Sequence, residues 1–473
     1  MFNLRQVGEN CAQCFSSERH SIDTSKLGAV IRSFDLNDAQ EEGVLSCIAA
    51  RECSHKNTVK LIWGPPGTGK TKTASSLLFA LLKRRCRTLT CAPTNVAVLE
   101  LTSRFIRLVM KSLDYLTYGL GDIVLFGNRK RMKIDNDDDL FDIFLDYRAN
   151  ILSKCFAPLS GWKHHLELVT YLLENPEKQY HEYLNSDVKR DYEVDNYDCL
   201  KEEKELLAIA NQQANQEKKD TYSQDPNVCK QNEWKRIVNK TLRENRLCFK
   251  EGNKSKYDKQ EKKDFLYYEN RIKRLTFHEF VKKEFNFIRT QMRTFVVHMC
   301  THLPTSFISL RVVKSLFECL DWLKVFETVL SNNSITEQGF KLALATSCDD
   351  ECKISSCNWQ YKLGMTRKEC LKRLKSLRDL LILPDFFDEY SIKSFCFKTS
   401  RMIFCTASSS SRLYSEGLDR LEMLVIDEAA QLKECEANIP LQLPGLRHVV
   451  LIGDEKQLPA LVKSEVRSIL VSS

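Results

Sequence analysis

The sequence lacks any apolar run approaching the roughly 20 residues that cross a bilayer. Its opening, MFNLRQVGENCAQC, lacks the apolar stretch of a secretory leader. Together these absences give the expectation of an intracellular protein with no membrane partner. No internal repeat is found, which sets aside a stacked-repeat architecture. Cysteines are plentiful, 19 in all, but nowhere form two evenly spaced pairs. The nearest approaches to a zinc site are Cys11 and Cys14, with Cys53 and His55, and the group Cys348, Cys352 and Cys357. Unligated thiols in a reducing compartment are the favoured reading of both.

What is present is ordinary for a globular protein: 473 residues, 43% hydrophobic and 28% charged, enough for two or three domains. The net charge of +8 is unevenly placed. Across residues 201–300, Lys and Arg outnumber Asp and Glu by 23 to 15, which accounts for the whole excess. That stretch reads either as a footprint for nucleic acid or as a helix surface of mixed charge, and composition alone favours the second.

Five short apolar runs bounded by polar, Gly or Pro residues read as buried strands: 59–63, 87–92, 402–406, 422–426 and 448–452. Helical patterns follow the first two, over 70–85 and from 95 to about 112. Strands alternating with helices imply right-handed crossovers and a parallel sheet. About 300 residues separate the first two strands from the last three, too many for a loop. The middle is therefore an insertion with its own structure. Its opening, YGLGDIVLFGNRKRMKIDNDDD, reads as a strand followed by an exposed polar loop. Most of the rest spaces its apolar residues three and four apart, as helices do.

The strongest motif is Gly64-Pro65-Pro66-Gly67-Thr68-Gly69-Lys70-Thr71, which matches G-x-x-x-x-G-K-[ST] between a strand and a helix. Glycines let backbone N–H groups face phosphate oxygens, and the helix N-terminus adds partial positive charge. In this pattern Lys70 reaches the β and γ phosphates of ATP and the Thr71 hydroxyl binds Mg2+. MLVIDEAAQ supplies the second carboxylate. Asp427 ends a strand and holds Mg2+ through water, and Glu428 polarises the attacking water. The strand ending near residue 452 brings Gly453, Asp454 and Gln457 beside the same phosphates, with Gln457 as a sensor of the γ-phosphate. Gln431 is a weaker candidate for that role.

Five motifs occur in a fixed order: 64–71, CAPTNVAV (91–98), IFCTASSS (403–410), VIDEAAQ (425–431) and GDEKQLPA (453–460). With them the sequence resembles superfamily 1 helicases of the Upf-like, senataxin-like group. KLIWGPPGTGKTKT and IPLQLPGLRHVVLIGDEKQLPA look most like its plant senataxin and MAGATAMA branch. The resemblance implies a P-loop NTPase fold: a RecA-like parallel sheet flanked by helices and interrupted by a large, mainly helical insertion. It implies ATP and Mg2+ as cofactors, single-stranded RNA or DNA as partner, and the nucleus, or else the cytoplasm, as location. It also implies that Gln40 contacts adenine. Pro93, Thr94 and Asn95, and likewise Thr406, Ala407 and Ser408, would grip the nucleic-acid backbone. Read without the resemblance, Gln40 is a helix-surface residue and Thr94 a helix cap.

The expected division is an N-terminal segment (1–36), the first part of a RecA-like domain (37–113), the accessory insertion (114–395) and the second part of that domain (396–473). The family's second RecA-like domain, which supplies arginines to the γ-phosphate, has no motif in this sequence. Hydrolysis by the isolated chain is therefore expected to be impaired, unless such a domain acts in trans. The alternative is a non-catalytic fragment that binds ATP and nucleic acid.

Overall fold

A computed structural model describes residues 26–52, 56–185, 226–251, 275–331, 337–345, 358–384, 386, 388–418, 420–454 and 456. Six strands make one sheet: β1 (Thr58–Trp63), β2 (Thr88–Ala92), β3 (Ile123–Leu125), β4 (Met402–Thr406), β5 (Met423–Ile426) and β6 (His448–Gly453). Every pairing is parallel, in the spatial order β1-β6-β5-β2-β4-β3. The parallel α/β architecture expected from the sequence is the one observed.

Strand side chains alternate between faces, so each strand divides two cores. Leu89, Cys91, Ile403, Cys405, Leu424, Ile426 and Val449 belong to one core. Met402, Phe404, Met423, Val425, Val450 and Ile452 belong to the other. The second face is covered by α1 (Asp38–Glu52), α2 (Lys70–Lys83) and α3 (Asn95–Lys111). A parallel sheet needs cover on both sides. Here the insertion provides the rest, with α4 (Leu145–Phe156), α5 (Trp162–Glu174), α6 (Phe277–His302), α7 (Leu310–Leu330), α8 (Asn358–Leu380) and α9 (Glu389–Thr399) sharing the first core. These helices start where polar residues cap them. Thr276 and Glu279 form a reciprocal capping box at α6, Ser309 caps α7 and Asp388 caps α9.

Two details differ from the sequence reading. The strand at the opening of the insertion, β3, is the sixth strand of the core sheet and pairs with β4 from Ile123–Met402 to Leu125–Phe404. The stretch after it is not an exposed polar loop. Asn128 and Asp137 cap short turns at Arg129–Met132 and Asp138–Phe141, and Met132, Ile134, Leu140 and Phe141 are buried. Apolar residues scattered among Lys and Asp show no period, yet the short turns point them inward.

Arg148 of α4 locks β3 in place. Its guanidinium is fully buried and donates to the carbonyls of Leu120, Gly121, Ile123 and Asp142 at 2.6–3.3 Å. Next to it, Asp122 accepts from the Thr305 amide (2.8 Å) and hydroxyl (2.6 Å) just beyond α6. No helix of the described residues is long and apolar enough to cross a membrane.

Candidate functional site

A parallel sheet presents the C-terminal ends of its strands along one edge, where ligands bind. The order along that edge is Trp63, Gly453, Ile426, Ala92 and Thr406. The motifs follow their strands. Residues 64–71, Asp454, and Asp427 with Glu428 stand after β1, β6 and β5. Residues 93–95 and 407–408 stand after β2 and β4, on the adjoining half of the edge. Sequence order scatters these groups over some 390 positions. The strand order sorts them into two neighbouring sets.

The loop at 64–71 has the form of an anion cradle. Gly67 and Gly69 take φ +79° and +82°, where a side chain is strained. At Gly64 a Cβ would stand 2.6 Å from the Thr68 hydroxyl, so no other residue fits without a shift. Gly69 caps α2, and the Lys70 ammonium folds back to donate to the carbonyls of Gly64 (2.8 Å) and Pro65 (3.3 Å). The Thr68 hydroxyl donates to Pro65 O at 2.7 Å. Pro65, Pro66, Gly67 and Thr68 are exposed, and Lys70 and Thr71 are half-buried.

Asp427 is 3% exposed at the end of β5. Burial first, and then the neighbouring Glu428, push its carboxyl up to about 6, while Lys70 pulls it down. A carboxylate poised this way gains from a divalent cation, which replaces the missing positive charge. The hard oxygen donors Asp427 and Thr71 and the cation-lined glycine loop thus fit Mg2+ with a polyphosphate. Glu428 adopts φ +50°, a left-handed conformation unusual for Glu, and its carboxylate accepts from Gln431 Nε2 at 3.2 Å. That bond gives Gln431 an orienting position beside Glu428. Gly453 packs so closely under this turn that a Cβ would lie 3.2 Å from the Ala430 nitrogen. Asp454 is buried and accepts from the Lys456 amide (3.0 Å). Gln457 lies outside the described residues.

Sequence reasoning missed Glu100 of α3, whose charge also raises the Asp427 carboxyl. Its place shortly after Asn95 was visible, but that its charge acts on Asp427 was not. Gln40 shows more than either expected reading. It sits in the first turn of α1, and its Nε2 donates 2.8 Å to the Thr68 carbonyl of the loop.

In the second set, Thr94 caps α3 by accepting from the Ala97 amide (3.2 Å), and its side chain stays exposed. Pro93 and Asn95 are half-buried beside it. Thr406 accepts from the Ser409 amide (3.3 Å), and Ser408 is exposed. Ala407 is buried, with its amide donating to Ala92 O (3.0 Å) and its carbonyl accepting from the Ser410 hydroxyl (2.6 Å). Its amide thereby joins β4 to β2.

The basic middle is only partly described. Within it, Arg246 pairs with Asp142 (2.7 Å), Lys250 with Asp138 (2.6 Å) and Arg289 with Glu327 (2.7 Å). Those cations serve internal ion pairs. The described cysteines are free thiols, most of them buried as small core residues. Cys11, Cys14, Cys53, His55, Cys348, Cys352 and Cys357 lie outside the described residues.

A six-stranded parallel sheet with a glycine cradle on one strand end and a buried Asp followed by Glu on another defines a P-loop NTPase with a RecA-like core. A family model described as an AAA domain matches residues 35–297 and 335–465, and the chain belongs to that family. The match runs through much of the insertion. Over 69 residues the chain is 39% identical to DNA-binding protein SMUBP-2 of Rattus norvegicus, covering 15% of this chain and 6% of that protein. Over 67 residues it is 45% identical to the regulator of nonsense transcripts 1 homolog of Neurospora crassa, covering 14% and 6%. Over 86 residues it is 40% identical to DNA polymerase alpha-associated DNA helicase A of Schizosaccharomyces pombe, covering 18% and 12%. The matched stretches span only a small part of these curated relatives. Together the matches support the Upf-like group of superfamily 1 helicases as the chain's class.

Proposed function

We propose that the chain is an ATP-dependent helicase domain that binds Mg-ATP and single-stranded nucleic acid, RNA or an RNA–DNA hybrid. The observation that carries this reading is the sorting of the sheet edge. β1, β6 and β5 bring Lys70, Asp454, Asp427 and Glu428 together, and β2 and β4 put the polar groups of the second set beside them. Backbone amides of 64–71 and the Lys70 ammonium hold the triphosphate, and Thr71 and Asp427 hold the metal. Glu428 orients and deprotonates the attacking water. Thr94, Asn95, Thr406 and Ser408 contact phosphates of a strand, which carry no sequence information.

The division at 36, 113 and 395 stands as part of the same reading, with β3 returned to the sheet. Likeness of residues 60–73 and 439–460 to the plant senataxin branch favours a nuclear RNA role, with cytoplasm as the other location. The 473 residues carry the motifs of one RecA-like domain. Full turnover then requires arginines from a second, whether in a longer protein or in trans, and such groups contribute about 10³–10⁵ in rate. In their absence the domain binds both ligands and hydrolyses slowly.

The test is ATP binding and steady-state hydrolysis by the purified chain, with and without single-stranded RNA, beside Glu428→Gln. ATP binding with slow turnover that Glu428→Gln removes is the expected result. Failure to bind ATP, or turnover unchanged in the variant, overturns the assignment.

A further inference from the structure

The strand order carries one more segment to the edge that holds the second set. β3 lies beyond β4 in the sheet, and its ladder runs one residue past its end, where the Phe126 amide donates to Phe404 O at 3.0 Å. Residues 127–133, GNRKRMK, therefore stand after β3 as 93–95 stand after β2 and 407–408 after β4. Neighbouring strands are about 4.8 Å apart, so the three segments span about 10 Å. One stacked strand of nucleic acid carries about three phosphates over that length, at about 3.4 Å each.

Local bonds fix which way this turn faces. A Cβ on Gly127 would stand 2.5 Å from Met132 Sδ, so the chain folds tightly around Met132, which is buried in the second core. The Asn128 side chain accepts from the Arg131 amide (3.0 Å). Arg129 donates to Asp135 through Nε (2.8 Å) and a terminal nitrogen (2.6 Å). Its guanidinium carbon lies 4.5 Å from the centre of the Phe249 ring, on the helix Pro226–Glu251. Met132 and Arg129 are thus held in place, while Lys130, Arg131 and Lys133 are exposed. Most nearby acids are engaged: Asp135 by Arg129, Asp137 by the Ser103 hydroxyl (3.2 Å), Asp138 by Lys250 and Asp142 by Arg246. Asp139 is the remaining acid of 127–142, against three outward cations.

We propose that this turn is a third phosphate-contact set, in which Lys130, Arg131 and Lys133 neutralise phosphates of the single strand held by the second set. It rests on the nucleic-acid reading argued above and adds a segment that the reading leaves out. An acidic protein taking 128–133 as an extended stretch would have to pull Met132 from the core and break the Arg129 ion pair. Phosphates meet the three cations as they stand, and such contacts position a strand without reading its sequence.

The experiment titrates the full chain with a labelled oligouridylate, by fluorescence anisotropy, between about 50 and 200 mM salt. The test variant combines Lys130→Gln, Arg131→Gln and Lys133→Gln, which keep side-chain length and remove three charges. A control combines Lys235→Gln, Arg236→Gln and Lys240→Gln, which remove three exposed charges from the helix Pro226–Glu251. Thermal melts check that each variant folds. Each phosphate contact on a single strand contributes about 0.7 to the slope of log affinity against log salt. The test variant's slope should therefore be shallower by about 2, so that its deficit shrinks about 15-fold across that salt range. The control should keep the wild-type slope. ATP affinity of the test variant should stay as in wild type, since β3 and β1 are at opposite ends of the sheet. Lys130→Arg, Arg131→Lys and Lys133→Arg together should bind as wild type does. If the test variant keeps the wild-type slope, the turn touches no phosphate, the proposal is wrong and the turn is open to an acidic protein. If the control loses as much slope, or the charge-keeping variant loses it too, the effect is not one of charge at this turn and the proposal is equally wrong. Wild type that binds no oligouridylate overturns the nucleic-acid reading itself, and this set with it.

Discussion

The Lys70 ammonium lies 2.8 Å from the carbonyl oxygen of Gly64, at the mouth of its own loop. A cation bonded to the loop that should receive the anion is held where the phosphate charge arrives. A phosphate oxygen replaces a neutral acceptor by a charged one, and charge-assisted bonds are roughly twice as strong. Lys70→Ala should therefore lower ATP affinity about 10- to 100-fold, while melting of the nucleotide-free protein changes little. Titration calorimetry and a thermal melt on the same preparation check both halves.

Asp427 makes stability depend on pH in a defined direction. Its folded carboxyl titrates at about 6, raised by burial and then by Glu428. Unfolded, it titrates near the ordinary value of about 3.9. Between those values the folded chain keeps a proton that the unfolded chain gives up. Stability from this group is thus present at low pH and lost as pH rises through about 6. A shift of about two units is about 3 kcal/mol as an upper figure. The advantage of Asp427→Asn over wild type, without nucleotide, should be smallest at about pH 4 or below, grow as pH rises toward about 6 and be full at pH 7.5. A gap of equal size at about pH 4 and at pH 7.5 would count against the raised carboxyl.

Glu428 is the proposed base, with Gln431 bonded to its carboxylate. Glu428→Gln keeps the shape and removes the base. Hydrolysis should fall about 10²–10⁴-fold while ATP affinity stays within about threefold. A phosphate-release assay and a binding titration separate these effects.

Arg148 predicts a structural loss away from the site. Replacing it with Met leaves the carbonyls of Leu120, Gly121, Ile123 and Asp142 without their buried donor. The cost should be about 3–5 kcal/mol, read by urea denaturation. A loss below about 1 kcal/mol would mean that water replaces the guanidinium.

Much of this was legible before any coordinates. The strand read at 59–63 is observed at Thr58–Trp63, and that at 402–406 at Met402–Thr406. These runs are apolar and sharply bounded. β3 was read as a strand of the insertion, because three residues far from the other strands carry no mark of their partner. The helical insertion was visible from its period, but period does not say what a helix covers. That it closes the sheet's first face emerges only from the packing of residues such as Leu152 and Phe397 with Leu89 and Ile403. At the site, motif spacing singled out Lys70 and Asp427, and the strand order brings them to one edge of the sheet. The Gln40 bond to Thr68 was out of reach, since nothing local marks a contact across 28 residues.

The Asp427 amide donates to the carbonyl of Cys91 at 2.9 Å, and Cys91 stands two residues before Pro93. Asp427 and the strand feeding the second set are therefore next-door rails of one track. Both rails are buried in the sheet, and no loop intervenes. Communication between the two halves would run as a stiff displacement of the track itself, with little slack to absorb it.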